Sequence, residues 1–169
     1  DWKRTFTPPR DDEPKGEFVK DVMAIANGCA FTRSKGFVVY GINPDAPDPV
    51  VGIADRWDDN EAQQIVRSVL DPVPEFIYYE VDAGDSRTIA VVHVEPPREP
   101  FYVVRRKLGK LREGQCMIRH GSTTRGVTRN DHLRLYLTPG YGYAEQLLQR
   151  QGVETQRMNA ENERLRLLE

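Results

Sequence analysis

The stretch Gly36-Phe-Val-Val-Tyr-Gly-Ile42 constrains this chain more than any other. An apolar run bounded by glycines predicts a buried strand. Upstream of it, "GEFVKDVMAIANG" sets Phe18, Val22, Ala24 and Ile25 at three-to-four spacing, which predicts an amphipathic helix stopping at Gly28. A helix that feeds a strand reverses the order of a P-loop, where the strand comes first and the helix N-terminus faces the phosphates. A helix C-terminus presents carbonyls and partial negative charge, which repel phosphate. Lys35 is followed by Gly36 and Phe37 rather than by a hydroxyl residue, and no G-x-G-x-x-G occurs. The chain is not read as an ATPase.

The remaining pattern is mixed. Trp2 to Phe6 predicts a short strand, and residues 8–15 a Pro- and Asp-rich loop. "NPDAPDP" predicts a turn and "VVGIA" a second strand. "DDNEAQQIVRSVL" predicts a helix with Ala62, Ile65, Val66, Val69 and Leu70 on one face. "EFIYYEV" and "RTIAVVHVE" predict two strands around the turn "DAGDS", and "FYVVRRKL" with "GQCMIRHG" a basic hairpin. "TRNDHLRLYL" predicts a short helix capped by Thr128 or Asn130. This order predicts an α+β domain over residues 1–137, with mixed or antiparallel sheet pairing and two or three packed helices.

Residues 138–169 change character. "YAEQLLQRQGVETQRMNAENERLRLLE" predicts an extended C-terminal helix. One heptad register sets Leu148, Thr155 and Asn162 at a, with Gln151, Met158 and Leu165 at d. An Asn at an a position fixes coiled-coil register, so residues 141–169 are expected to pair two copies, although Gly152 weakens the pattern.

Charge is strongly segregated. Residues 101–130 carry Arg105, Arg106, Lys107, Lys110, Arg112, Arg119, Arg125 and Arg129 against the single acid Glu113, in a chain of net charge −2. Such a basic segment is the footprint of a polyanion binder, or a solvated strand edge that resists aggregation. Two cysteines, Cys29 and Cys116, are too few for a disulfide framework, which predicts small buried thiols in a reducing, cytoplasmic setting. No apolar run approaches the ~20 residues of a membrane span and no signal peptide is visible. The chain opens without methionine, so residues upstream of Asp1 are expected. His93, His120 and His132 with the cysteines show no zinc-ligand spacing, and Ser68 lacks a nucleophile elbow. No cofactor is expected.

"EFVKDVMAIAN", "GFVVYGIN", "VVGIA", "EPFYV" and "MIRHGSTTR", in that order, closely resemble the Schlafen AlbA-like DNA-binding domain. The opening "DWKRTF" is similar to the family's Glu-Phe-Lys strand, with Asp1 replacing Glu. The resemblance covers roughly residues 1–135. It departs from the family between helix and strand, where Cys29 to Gly36 replace a compact Gly-Gly and are read as an exposed insertion. It implies a bacterial-type nucleic-acid binder, DNA over RNA.

The expected phosphate contacts are Lys3, Arg4, Arg105, Arg106, Lys107, Lys110, Arg112, Arg119 and Arg125. Ser122, Thr123 and Thr124 can bond phosphate oxygens, while Tyr102 is expected in the core more than on a base. A competing reading also comes from the resemblance. Some Schlafen proteins look like endonucleases in which three acids hold Mg²⁺ or Mn²⁺. Here Asp1 matches one acid by motif, Asp45 matches another with a shift, and the third falls upstream of residue 1.

Overall fold

The computed structural model describes residues 1–6, 8, 10–96 and 101–137. The chain divides into one unit, Asp1–Val127, and a second that begins at Thr128. The expected helix over 138–169 and its pairing lie outside the described residues.

In the first unit the element order is β1 (Trp2–Lys3), α1 (Asp12–Thr32), β2 (Gly36–Tyr40), α2 (Asp59–Val69), β3 (Leu70–Asp71), β4 (Phe76–Asp82), β5 (Thr88–Val94), β6 (Val103–Val104), β7 (Met117–His120) and β8 (Thr123–Gly126). The second unit contributes α3 (Arg129–Leu137). The main sheet runs β1-β2-β5-β4, with β1 parallel to β2 and the other pairs antiparallel. β3 pairs with β6 and β7 with β8 as separate two-stranded ribbons. This is the expected α+β fold with mixed pairing.

α1 is the central support. Phe18, Val19, Val22, Met23 and Ala26 recur at helical spacing and are buried in one core with Val38, Tyr40, Val66, Val69 and Val92. Asp12 and Glu13 occupy its first turn, where acids favour the positive end of the helix. Two boundaries depart from expectation. The helix begins within the predicted 8–15 loop, and it continues four residues past Gly28. Gly28 is not a terminator: a β-carbon there would lie 2.7 Å from the Arg119 carbonyl oxygen. Its lack of a side chain lets β7 approach, and the true end is Arg33, left-handed at φ 52° with its N–H on the Cys29 carbonyl. Half of the supposed insertion, Cys29 to Thr32, is thus helix. Cys29 is buried, and desolvation pushes its thiol up to about 11.

"VVGIA" forms no regular strand. Only Ile42 and Val50 bridge, because left-handed Gly41 and Gly52 turn the backbone and both Val51 and Gly52 donate to the Gly41 carbonyl. α2 starts as predicted, Asp58 accepting from the Asn60 amide at 2.7 Å. The β4–β5 turn passes through left-handed Gly84, Asp85 and Ser86. α3 is capped by Thr128: its hydroxyl accepts from the Asp131 amide, and the Asp131 carboxylate accepts from the Thr128 amide at 2.8 Å.

The expected basic hairpin is also reorganised. β6 turns to β3 and β7 to β8, so residues 105–114 become a loop between them.

Candidate nucleic-acid interface

That loop has closed feet. The Val104 amide donates to the Gln115 carbonyl at 2.9 Å, and the Gly114 amide to the Val104 carbonyl at 2.7 Å. Within it Leu108 and Leu111 exchange backbone bonds around a two-residue turn, Gly109-Lys110, and both leucines enter the core. Burying each leucine contributes about 1.5–3 kcal/mol, which anchors a segment otherwise made of charge. The tip sits directly on the first turns of α1. A β-carbon on left-handed Gly109 would lie 2.6 Å from the Asp12 carbonyl oxygen, and one on Gly16 2.7 Å from that of Leu108.

The cations follow from this anchoring. Arg105 donates from Nη2 to the Arg67 carbonyl at 2.8 Å and from Nε to the Ser68 carbonyl at 3.3 Å, capping the C-terminal end of α2. Arg106 reaches the Ser68 hydroxyl at 3.1 Å. Lys110 pairs with Glu13; their hydrogen bond holds the Glu13 carboxyl below the usual range and raises the Lys110 ammonium. Arg106, Lys107 and Arg112 are exposed, and among the described residues none has a carboxylate partner.

The remaining predicted contacts gather elsewhere. On the β7–β8 ribbon, Arg119 is spent within the fold: Nη2 meets the Asp1 carboxylate at 2.7 Å, Nε the Gly121 carbonyl and Nη1 the Thr124 hydroxyl. Arg125 donates to the Gly126 carbonyl. Lys3 pairs with buried Asp21 at 2.9 Å, and Arg4 is exposed. The structure thus divides the predicted set into a loop group, 105–112, and a β1/ribbon group of which Lys3 and Arg119 are ion-paired. His120 and Ser122 are exposed at the ribbon tip, while Tyr102 is buried in the core. Asp1 serves as the partner of Arg119, and Asp45 lies exposed in the loop after β2. Among the described residues no three His, Cys, Asp or Glu side chains cluster as metal ligands.

Asn27 is the residue that sequence reading undervalued. Fully buried, it accepts from the Tyr102 amide at 2.8 Å and donates to the carbonyls of Met117 at 2.7 Å and Tyr102 at 3.1 Å. One side-chain amide therefore stitches α1 to the segments on either side of the basic loop. Its signal was present as the Asn closing "MAIAN", but only as a motif without a mechanism.

The family model described as "Schlafen, AlbA_2" matches residues 1–128, about three quarters of the chain. The chain belongs to the Schlafen AlbA_2 family. For this AlbA_2 chain, membership suggests a nucleic-acid-related function. A solved structure, the DIP2311 protein from Corynebacterium diphtheriae, is similar in fold: TM-score 0.52 and 18% identity over 78% of this chain. The match spans 20% of the DIP2311 chain, so this chain corresponds to about a fifth of that protein. No curated protein matches the sequence. Among the described residues no helix is long and apolar enough to cross a membrane.

Proposed function

We propose that this AlbA_2 domain binds nucleic acid, DNA in preference to RNA, by gripping the sugar–phosphate backbone with the loop at 105–112. The observation that supports this is a rigidly footed loop displaying Arg106, Lys107 and Arg112 without carboxylate partners among the described residues. Arg105 positions the loop on α2 while lending its charge. Lys3, Lys110 and Arg119 join only where a phosphate competes with Asp21, Glu13 or Asp1, and Arg4 and Arg125 are outlying contacts. Among the described residues the arrangement offers cations for phosphates and no motif for base edges, so the proposed recognition is of backbone and shape. A dimer formed through residues 141–169 doubles the contacts and raises avidity.

The test is titration of a short fluorescent DNA duplex, and of RNA of equal length, across salt concentrations. Neutralising three or four phosphates predicts a slope of log affinity against log salt of about −3, or a roughly 60-fold loss between 50 and 200 mM. DNA is expected to bind more tightly than RNA. Absent or salt-independent binding would refute the proposal.

A further inference from the structure

The loop at 105–112 rests on two helices, and their charges differ. Its tip lies on the first turn of α1, where Asp11, Asp12 and Glu13 are exposed and Glu13 already holds Lys110. Its foot lies on the last turn of α2. There the Arg105 amide donates to the Val69 carbonyl at 2.8 Å, the Arg105 guanidinium to the carbonyls of Arg67 and Ser68, and Arg106 to the Ser68 hydroxyl. A polyanion laid along the loop is repelled at the α1 end and attracted at the α2 end.

α2 presents one more cation there. The helix buries Ala62, Val66 and Val69, so Gln64 and Arg67 fall on its outer stripe and are exposed. Gln63 and Gln64, one turn before Arg67, are uncharged, and Arg67 makes no ion pair among the described residues. An arginine in a last turn commonly serves the helix end itself, by bonding the final carbonyls or facing the negative end of the dipole. Here another residue does so. Arg105 occupies the Arg67 and Ser68 carbonyls, and the Ser68 hydroxyl donates back to the Ile65 carbonyl at 2.8 Å. The Arg67 guanidinium is therefore spare. Arg67, Arg105 and Arg106 gather three positive charges about one helix end, and none has a carboxylate partner among the described residues. Like charges so placed repel one another, and a bound anion relieves them.

We propose that Arg67 is a further phosphate contact, which carries the bound nucleic-acid backbone from the loop onto the C-terminal turn of α2; this assignment rests on the loop's own grip of that backbone. Arg67 stands as a fourth unpaired cation beside Arg106, Lys107 and Arg112, on a second element of the fold. Two elements give the bound strand a direction across the surface as well as a place on it. Arg67 lies 38 residues before Arg105, outside the basic segment of the sequence, and only the packing of the loop foot on α2 brings it in.

The test is the duplex titration across salt, applied to the full chain. Arg67→Ala is expected to weaken binding about fivefold at ~100 mM salt and to flatten the slope by about 0.9, the share of one phosphate, while Arg67→Lys keeps the slope. The chain lacking Arg106, Lys107 and Arg112 should retain a residual slope of about −0.9, which adding Arg67→Ala abolishes. Arg56→Ala controls for net charge: that exposed arginine faces Glu80 at 3.5 Å, and its loss should leave affinity within about twofold. An independent readout needs no substitution. A saturating duplex should slow phenylglyoxal modification of Arg67 together with Arg106 and Arg112, mapped by peptide mass, and leave Arg56 unchanged. A wild-type chain that binds no duplex would overturn the loop grip and this contact together. Binding that weakens in the triple variant but keeps its full affinity and slope in Arg67→Ala would overturn the Arg67 contact alone. Equal losses from Arg67→Ala and Arg56→Ala, or duplex protection of Arg106 and Arg112 without Arg67, would do the same.

Discussion

Replacing Arg106, Lys107 and Arg112 together by alanine is expected to weaken binding to a DNA duplex about 100-fold at ~100 mM salt and to flatten the salt slope by about 2.7. Each removed cation leaves one phosphate with its condensed counterion, so affinity and slope fall together. The three side chains are exposed and make no ion pair among the described residues, so stability should stay within about 0.5 kcal/mol of wild type. A loss of binding in this variant is therefore a loss of contact and not of fold. Lys110→Ala is the informative control. Its ammonium already faces Glu13 and must leave that acid to reach a phosphate, so its net contribution is small and the decrease should be within about threefold. Equal effects from Lys110→Ala and from the triple variant would show that net charge, and not the loop, governs binding.

Asn27→Ala is expected to be the most destabilising single substitution, by about 3–5 kcal/mol in urea unfolding, since the Tyr102 amide, the Tyr102 carbonyl and the Met117 carbonyl each lose a bond to its side chain. Asn27→Asp should fare little better: it keeps an acceptor for Tyr102 but sets a charge against two carbonyls. Because Tyr102 and Met117 flank the loop, its placement depends on this amide. A loss under about 1 kcal/mol would mean that these bonds are not the hinge of the architecture.

Element type was legible wherever periodicity was strong. α1, α2 and the β4–β5 hairpin follow directly from apolar spacing and turn chemistry, and the helix-before-strand order correctly kept the chain out of the nucleotide folds. What failed depended on long-range packing. Gly28 reads as a helix stop until β7 is seen pressing on it, and "VVGIA" reads as a strand until Gly41 and Gly52 are seen bending it. The same holds for the charges. Composition located the basic segment but not the partners that occupy it, because Glu13, Asp21 and Asp1 lie about a hundred, eighteen and a hundred and eighteen residues from Lys110, Lys3 and Arg119. The anchoring role of Leu108 and Leu111 was readable from the Leu-Gly-Lys-Leu spacing, where two apolar residues bracket a turn inside a run of charge.

The most direct measurement is amide hydrogen exchange of the full chain with and without a saturating DNA duplex at low salt. The account predicts slowed exchange concentrated in peptides covering Arg105 to Gly114. Protection confined to the β7–β8 ribbon, with that loop unchanged, would contradict it.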